Sequence, residues 1–203
     1  GTLRLQNVFS FLNLGLAGFV LSAIAVRFVF TSVSAEGRSF WIIRSSPLTT
    51  TQFLRSKFWT AFPPLAVLSQ ILTVVSNHFL GATTFMMVFS SVTILALTFG
   101  IVALAVGMGA AFPRFRFENV TQIAGSSGGL LYMIAATSFV AIVLALEALP
   151  VFLYFRAQYQ GTGLHARALV VIAVSAAATL VLVVAVAWLP LRWGRRRLDT
   201  LEV

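Results

Sequence analysis

The side chains of this 203-residue chain that could ligate a metal, move a proton or contact a phosphate are few. They are His78 and His165, the single lysine Lys57, and the acids Glu36, Glu118, Glu147, Asp199 and Glu202. There is no cysteine, which removes thiolate metal sites and thiol catalysis. Neither histidine has a second histidine or a carboxylate at ligand spacing, so no metal site is expected. A Ser-His-Asp triad would need Asp199, which the topology below places across the membrane from both histidines. Lys57 is followed by Phe58, and no Gly-x-x-x-x-Gly-Lys-[Ser/Thr] loop occurs. The chain therefore lacks the usual cradle for ATP, and neither catalytic nor cofactor-binding residues are expected in it. Gly125-Ser126-Ser127-Gly128-Gly129 carries no lysine and reads as a break ahead of an apolar run. Glu147 is the acid nearest a membrane-embedded position. It is a candidate lining residue for a solute path, or else a wetted interface residue within a turn of Pro150.

The elements that must position these residues follow from composition. Hydrophobic residues make up 59% of the chain, charged residues 9%, and the mean hydropathy is +0.97. Soluble domains carry about 25% charged residues, so a soluble globule, a disordered tail and a disulfide scaffold are excluded. Residues 5–26, 58–113, 119–146 and 168–191 contain no Asp, Glu, Lys or Arg. The second run is too long for one crossing of a hydrocarbon core about 30 Å thick. Asn77-His78, Gly81 and Thr83-Thr84 mark a turn inside it. The expectation is an all-α integral membrane protein with one transmembrane domain over residues 1–203. Its five spans fall near 11–31, 61–79, 85–111, 128–149 and 168–190. Ala103, Gly107 and Ala111 recur at every fourth position, a spacing that lets helix backbones approach within a bundle or at a dimer face.

Net charge is +9, from 14 basic and 5 acidic residues. The basic residues lie between apolar runs, so their expected partner is the anionic face of a lipid bilayer and not nucleic acid. The positive-inside rule orients the chain. With the C-terminal tail 191–203 in the cytoplasm, one side gathers Arg27, Arg38, Arg44, Arg55, Lys57, Arg114, Arg116, Arg192, Arg195, Arg196 and Arg197. The other holds Arg4, Arg156 and Arg167. The N-terminus then lies outside, and residues 32–60 form a cytoplasmic loop. Arg4 with Ala23-Ile24-Ala25 imitates a signal peptide. Cleavage there would strand the loop 32–60 and the tail on the outer face, against the charge bias. The start Gly1-Thr2, without methionine, reads as a fragment with an earlier span upstream.

The segment 34–60 is the informative one. A short helix is expected near Ser34, with Glu36 in its first turn, ended by Ser45-Ser46-Pro47. A second short helix follows the threonines, with Phe53, Leu54, Phe58 and Trp59 beside Arg55 and Lys57. Both would lie in the membrane interface, as a surface elbow or as a docking element for a cytoplasmic partner. A second cytoplasmic loop carries Arg114, Arg116, Glu118 and Asn119.

The order of a span, Glu36-Gly37-Arg38, Arg44-Ser45-Ser46-Pro47-Leu48, Phe53-Leu54-Arg55-Ser56-Lys57 and another span resembles ABC-2 type transporter permeases, in particular the putative ABC exporter branch of bacterial permeases. Ala111-Phe112-Pro113-Arg114-Phe115-Arg116-Phe117-Glu118-Asn119 and Gly128-Gly129-Leu130-Leu131-Tyr132 add to the likeness. Gly37-Arg38 and Ser56-Lys57 depart from the Gly-Thr and Gly-Lys of many relatives. The resemblance implies that the five spans are the second to sixth of a six-helix core in the bacterial inner membrane. It implies a dimer with a second permease copy and an ABC ATPase subunit or domain as partner. ATP and Mg²⁺ would sit on that ATPase and none on this chain, which would not itself be an enzyme. Glu36, Gly37, Arg38, Arg44, Pro47 and Lys57 would form the ATPase-coupling element. The function implied is coupling of a partner's ATP hydrolysis to export. The competing expectations are a membrane scaffold or assembly subunit and a lipid-modifying membrane enzyme.

Overall fold

The computed structural model describes residues 2–36, 48–114, 119–160 and 166–200. Among them every regular element is a helix. Helix α1 (Thr2–Ala25) runs into a π-helical turn (Val26–Phe30) and a closing turn, α2 (Thr31–Ser34). Then come α3 (Thr50–Phe79), α4 (Thr84–Ala111), the short α5 (Val120–Ala124), α6 (Ser127–Gln160) and α7 (Ala166–Asp199). Five stretches are long and apolar enough to cross a membrane: Leu5–Ser34, Thr50–Phe79, Thr84–Ala111, Ser127–Gln158 and Ala168–Asp199. This is the all-helical class that composition predicts.

Local chemistry sets the ends. Thr49 caps α3 in a reciprocal box: its hydroxyl accepts from the Gln52 amide (3.3 Å) while Gln52 Oε1 accepts from the Thr49 amide (2.9 Å). The residues expected as a separate interfacial helix, Phe53 to Trp59, are therefore the opening turns of α3. The helix continues through Pro63 and Pro64, both exposed on its surface. Each proline forfeits one backbone bond, and the helix outlasts both. Between α3 and α4 the backbone turns at Gly81, whose φ of 63° suits a residue without a Cβ. Thr83 then caps α4, accepting from the Met86 amide. Helix α6 passes through Pro150, and α7 through Pro190. The basic residues from Arg192 to Arg197 are thus still helical.

Successive crossings alternate in direction. At one end Glu36 meets Lys57, Ser34 meets Arg114, and Thr50 meets Asp199. At the other, Asn7 meets Thr83, Gly81 lies against Gln6, and Phe85 stacks on Tyr154. We term these the basic end and the hairpin end. Arg27, Arg55, Lys57, Arg114, Arg192, Arg195, Arg196 and Arg197 all belong to the first. The hairpin end has Arg156, near the close of α6, with positions 4 and 167 at helix starts.

Helix α4 is the hub. From Gly100 to Ala111 every residue is buried, the pattern of a helix covered on all sides. The covering is close enough to need glycine. A Cβ at Gly107 would lie 2.4 Å from the carbonyl carbon of Pro190, and one at Gly194 would lie 2.3 Å from the Gly107 carbonyl oxygen. Ala103 and Ala111, in register with Gly107, are buried too. This row therefore packs α4 against α7 within one chain. Gly109 receives the Phe30 carbonyl in the same way, with a Cβ–O separation of 2.4 Å. That approach seats the π turn on α4. Thr31 and Ser32 hydroxyls donate to the carbonyls of Arg27 and Val29, both at 2.6 Å, so the irregular turn keeps its acceptors satisfied. Outward-facing Leu12, Leu16, Val67, Ile71, Val92 and Leu131 stay exposed, a surface compatible with lipid contact.

Candidate functional site

At the basic end the first crossing closes at Glu36 and the second opens at Thr50. The sequence folds so that residues 21 positions apart meet: Lys57 Nζ donates to Glu36 Oε1. Lys57 also sits 5.5 Å from the centroid of the Phe53 ring. Both partners are partly exposed, so the bridge adds little stability. It does fix which turn of α3 faces the end of α2. The pair stands over a cleft of about 930 Å³, whose walls include Arg27, Thr31, Ser32, Thr121 and Gly125. Helix α5 forms one side. Asn119 caps it, its Oδ1 accepting from the Thr121 amide at 3.2 Å. Arg114 is exposed, and its amide donates to the Ser34 hydroxyl at 3.0 Å. Glu36, Lys57, Arg114 and Asn119, singled out by sequence, thus gather around one end of the bundle. Gly37, Arg38, Arg44, Pro47, Arg116 and Glu118 lie outside the described residues.

A second polar group lies inside the bundle toward the hairpin end. Ser10 of α1 donates to Asn77 Oδ1 of α3 (2.6 Å), and Asn77 Nδ2 donates to the Ser90 hydroxyl of α4 (2.9 Å). Nearer the hairpin, Asn7 Oδ1 accepts from the Thr83 hydroxyl at 3.2 Å. Glu147 of α6 is 8% exposed and takes a forked hydrogen bond from the Thr93 hydroxyl, at 3.1 and 3.0 Å to its two oxygens. It has no ion-pair partner among the described residues. Glu147 thus faces α4 within the bundle. Among the described residues no group of three or more His, Asp or Glu side chains gathers to hold a metal ion.

Sequence reasoning passed over most of this seam. Asn77 read as a turn residue, whereas it bridges three helices. A signal was present: Ser69, Thr73 and Asn77 recur at every fourth position of α3 and are all buried. An apolar span with one polar edge has polar partners to find.

The chain matches a family model described as "Putative ATP-binding cassette" over residues 2–203. It belongs to that family. No curated protein and no solved structure matches it. This finding corrects the resemblance to ABC-2 permeases of the exporter branch, and with it the export function and the assignment of the spans as the second to sixth of a permease core. The residues behind that likeness form a pattern of polarity and spacing, which other spans joined by interfacial loops also carry. What stands is a general relation to ABC transporters and helices of a membrane type.

The family's description implies a nucleotide, and the residues do not fit one. The sole lysine is engaged by Glu36. Gly128 and Gly129 are packing positions: a Cβ at Gly128 would lie 2.7 Å from the Phe112 side chain, and one at Gly129 would lie 2.0 Å from the Ala124 carbonyl oxygen. A phosphate cradle needs open amides between a strand and a helix, and no strand occurs among the described residues.

Proposed function

We propose that this member of the cassette family is the membrane-embedded part of an ATP-binding-cassette system, with its basic end and C-terminus in the cytoplasm. The chain is not an enzyme in this reading. ATP and Mg²⁺ are held by a nucleotide-binding partner, either a separate chain or a further domain. That partner contacts the basic end at the cleft bounded by Glu36 and Lys57 and at the adjoining residues 37–47.

The observation that carries the reading is the Glu36–Lys57 contact. It ties the close of the first crossing to the opening turns of the second at the end where the basic residues collect. The charge bias supports the orientation, since eight basic residues of the described chain collect at this end and the positive-inside rule places such an end in the cytoplasm. The lack of a phosphate loop supports placing the nucleotide elsewhere.

Two measurements test it. Removing residues 36–46 should abolish co-purification of a nucleotide-binding partner while leaving membrane insertion intact. The isolated chain should retain no labelled ATP. Full co-purification after the deletion, or ATP retained by the chain alone, would overturn the reading.

A further inference from the structure

On the opposite flank of α3 from the Glu36–Lys57 cleft lies a second concavity, between α3 and α7 with α4 as its floor. Its volume is about 610 Å³. Its residues fall into two levels along the walls, over an apolar floor. Arg55, Arg192 and Arg195 form the layer nearest the basic end. One helical turn deeper on each wall come Trp59 and Trp188, both about half exposed. Between the walls Phe99, Ala103 and Ala187 make an apolar floor. The matching of layers follows from the antiparallel run of the two walls. Arg55 precedes Trp59 on α3, which leaves the basic end, and Arg192 follows Trp188 on α7, which approaches it.

This order of cation, amphipathic ring and hydrocarbon is the order of groups down a phospholipid. We propose that the groove is a binding site for one anionic glycerophospholipid. The arginines receive the phosphate and headgroup, the tryptophans border the glycerol and ester level, and an acyl chain lies on Phe99, Ala103 and Ala187. Two details favour a lipid over a free anion. The floor is apolar. Arg192 is packed 4.8 Å from the centroid of the Trp188 ring, which holds its charge at the lip of a hydrocarbon slot. Arg195 is shared with Asp199 at 3.7 Å, so Arg55 and Arg192 are the stronger anchors. The proposal concerns lipid chemistry alone and stands or falls independently of any nucleotide-binding partner.

The two groove tryptophans report occupancy directly. The full chain, with Trp41→Phe and Trp193→Phe removing the other two indoles, is reconstituted in phosphatidylcholine vesicles containing phosphatidylglycerol. Bromine is carried on the acyl chains of one lipid or the other at equal mole fraction. Brominated phosphatidylglycerol should quench Trp59 and Trp188 more strongly than brominated phosphatidylcholine. Each arginine near a membrane surface contributes about 1 kcal/mol toward an anionic lipid, or about fivefold in preference. R192Q should therefore lower the preference about fivefold, and R55Q/R192Q/R195Q should erase it while leaving quenching by phosphatidylcholine in place. R192Q alone keeps the test decisive if the triple variant fails to insert. Inorganic phosphate should leave the preference unchanged. Equal quenching by the two lipids, removal of the preference by inorganic phosphate, or tryptophans unreached by either brominated lipid (the groove then being filled by protein) would each overturn the proposal.

Discussion

The two halves of the bundle are held together by different means. Toward the basic end, α4 meets its neighbours backbone to backbone, through Gly107 and Gly194 against α7 and Gly109 against the π turn. Toward the hairpin end, the same helix meets its neighbours through side-chain hydrogen bonds, from Ser90 to Asn77 and from Thr93 to Glu147. Close packing has no slack, because an added methyl group has nowhere to go. Hydrogen-bonded polar groups inside a membrane exchange partners at modest cost, since each bond contributes little net energy there. The contrast pairs a stiff half, at the end where we place the partner, with a half able to adjust.

The largest effect should come from breaking the stiff half. Gly107→Leu would drive a side chain into the Pro190 backbone, and the loss should exceed about 3 kcal/mol, seen as a collapse of the thermal unfolding temperature in detergent. Gly125→Ala, where the nearest atom to a new Cβ is 3.8 Å away, should stay within about 0.5 kcal/mol of the parent. Equal effects at the two positions would remove the contrast.

Intermediate effects belong to the seam. Asn77→Leu leaves the Ser10 hydroxyl without its acceptor and should cost about 2 kcal/mol. In a double-mutant cycle with Ser10→Ala the coupling should be about 0.6 kcal/mol. A coupling near zero would mean that the seam does not bind α1 to α3. Thr93→Val takes from Glu147 its hydrogen-bond donor and should cost about 1–2 kcal/mol. Glu147→Gln keeps an acceptor facing Thr93 and should cost less than about 1 kcal/mol by the same reasoning.

The smallest effect on stability sits at the cleft. Lys57→Met should change unfolding by no more than about 1 kcal/mol, because the bridge to Glu36 is partly exposed. In the proposed reading it should still weaken partner co-purification, which separates a docking role from a structural one.

Much of the fold was legible in the sequence, for physical reasons. Apolar runs of membrane-spanning length and their punctuation by arginine marked five helices, and the Asn77–Thr84 stretch marked the hairpin. Helix ends were less legible. Thr49 with Gln52 is a capping signal that moves the start of α3 back from 61 to Thr50, and the prolines at 63, 64, 150 and 190 sit inside helices where local rules favour a stop. Surrounding helices or lipid support such positions in ways no local window records. Of the site, Glu36 and Lys57 could be singled out as polar residues flanking a loop, but their meeting depends on the register of two helices. The lipid groove was not legible at all, since Arg55 and Arg192 come together only through the antiparallel arrangement of α3 and α7. The likeness to ABC-2 permeases failed because polarity patterns identify an environment and not a lineage.

The most direct test of the account is the sidedness of the two ends. The chain has no cysteine, so single cysteines can be placed at exposed His78, at the hairpin end, and exposed Thr200, at the basic end. In intact cells an impermeant maleimide should label the His78→Cys chain fully and leave the Thr200→Cys chain unlabelled until the membrane is permeabilised. Labelling of Thr200→Cys in intact cells, with or without labelling of His78→Cys, would contradict the placement of the basic end in the cytoplasm and the partner docking built on it.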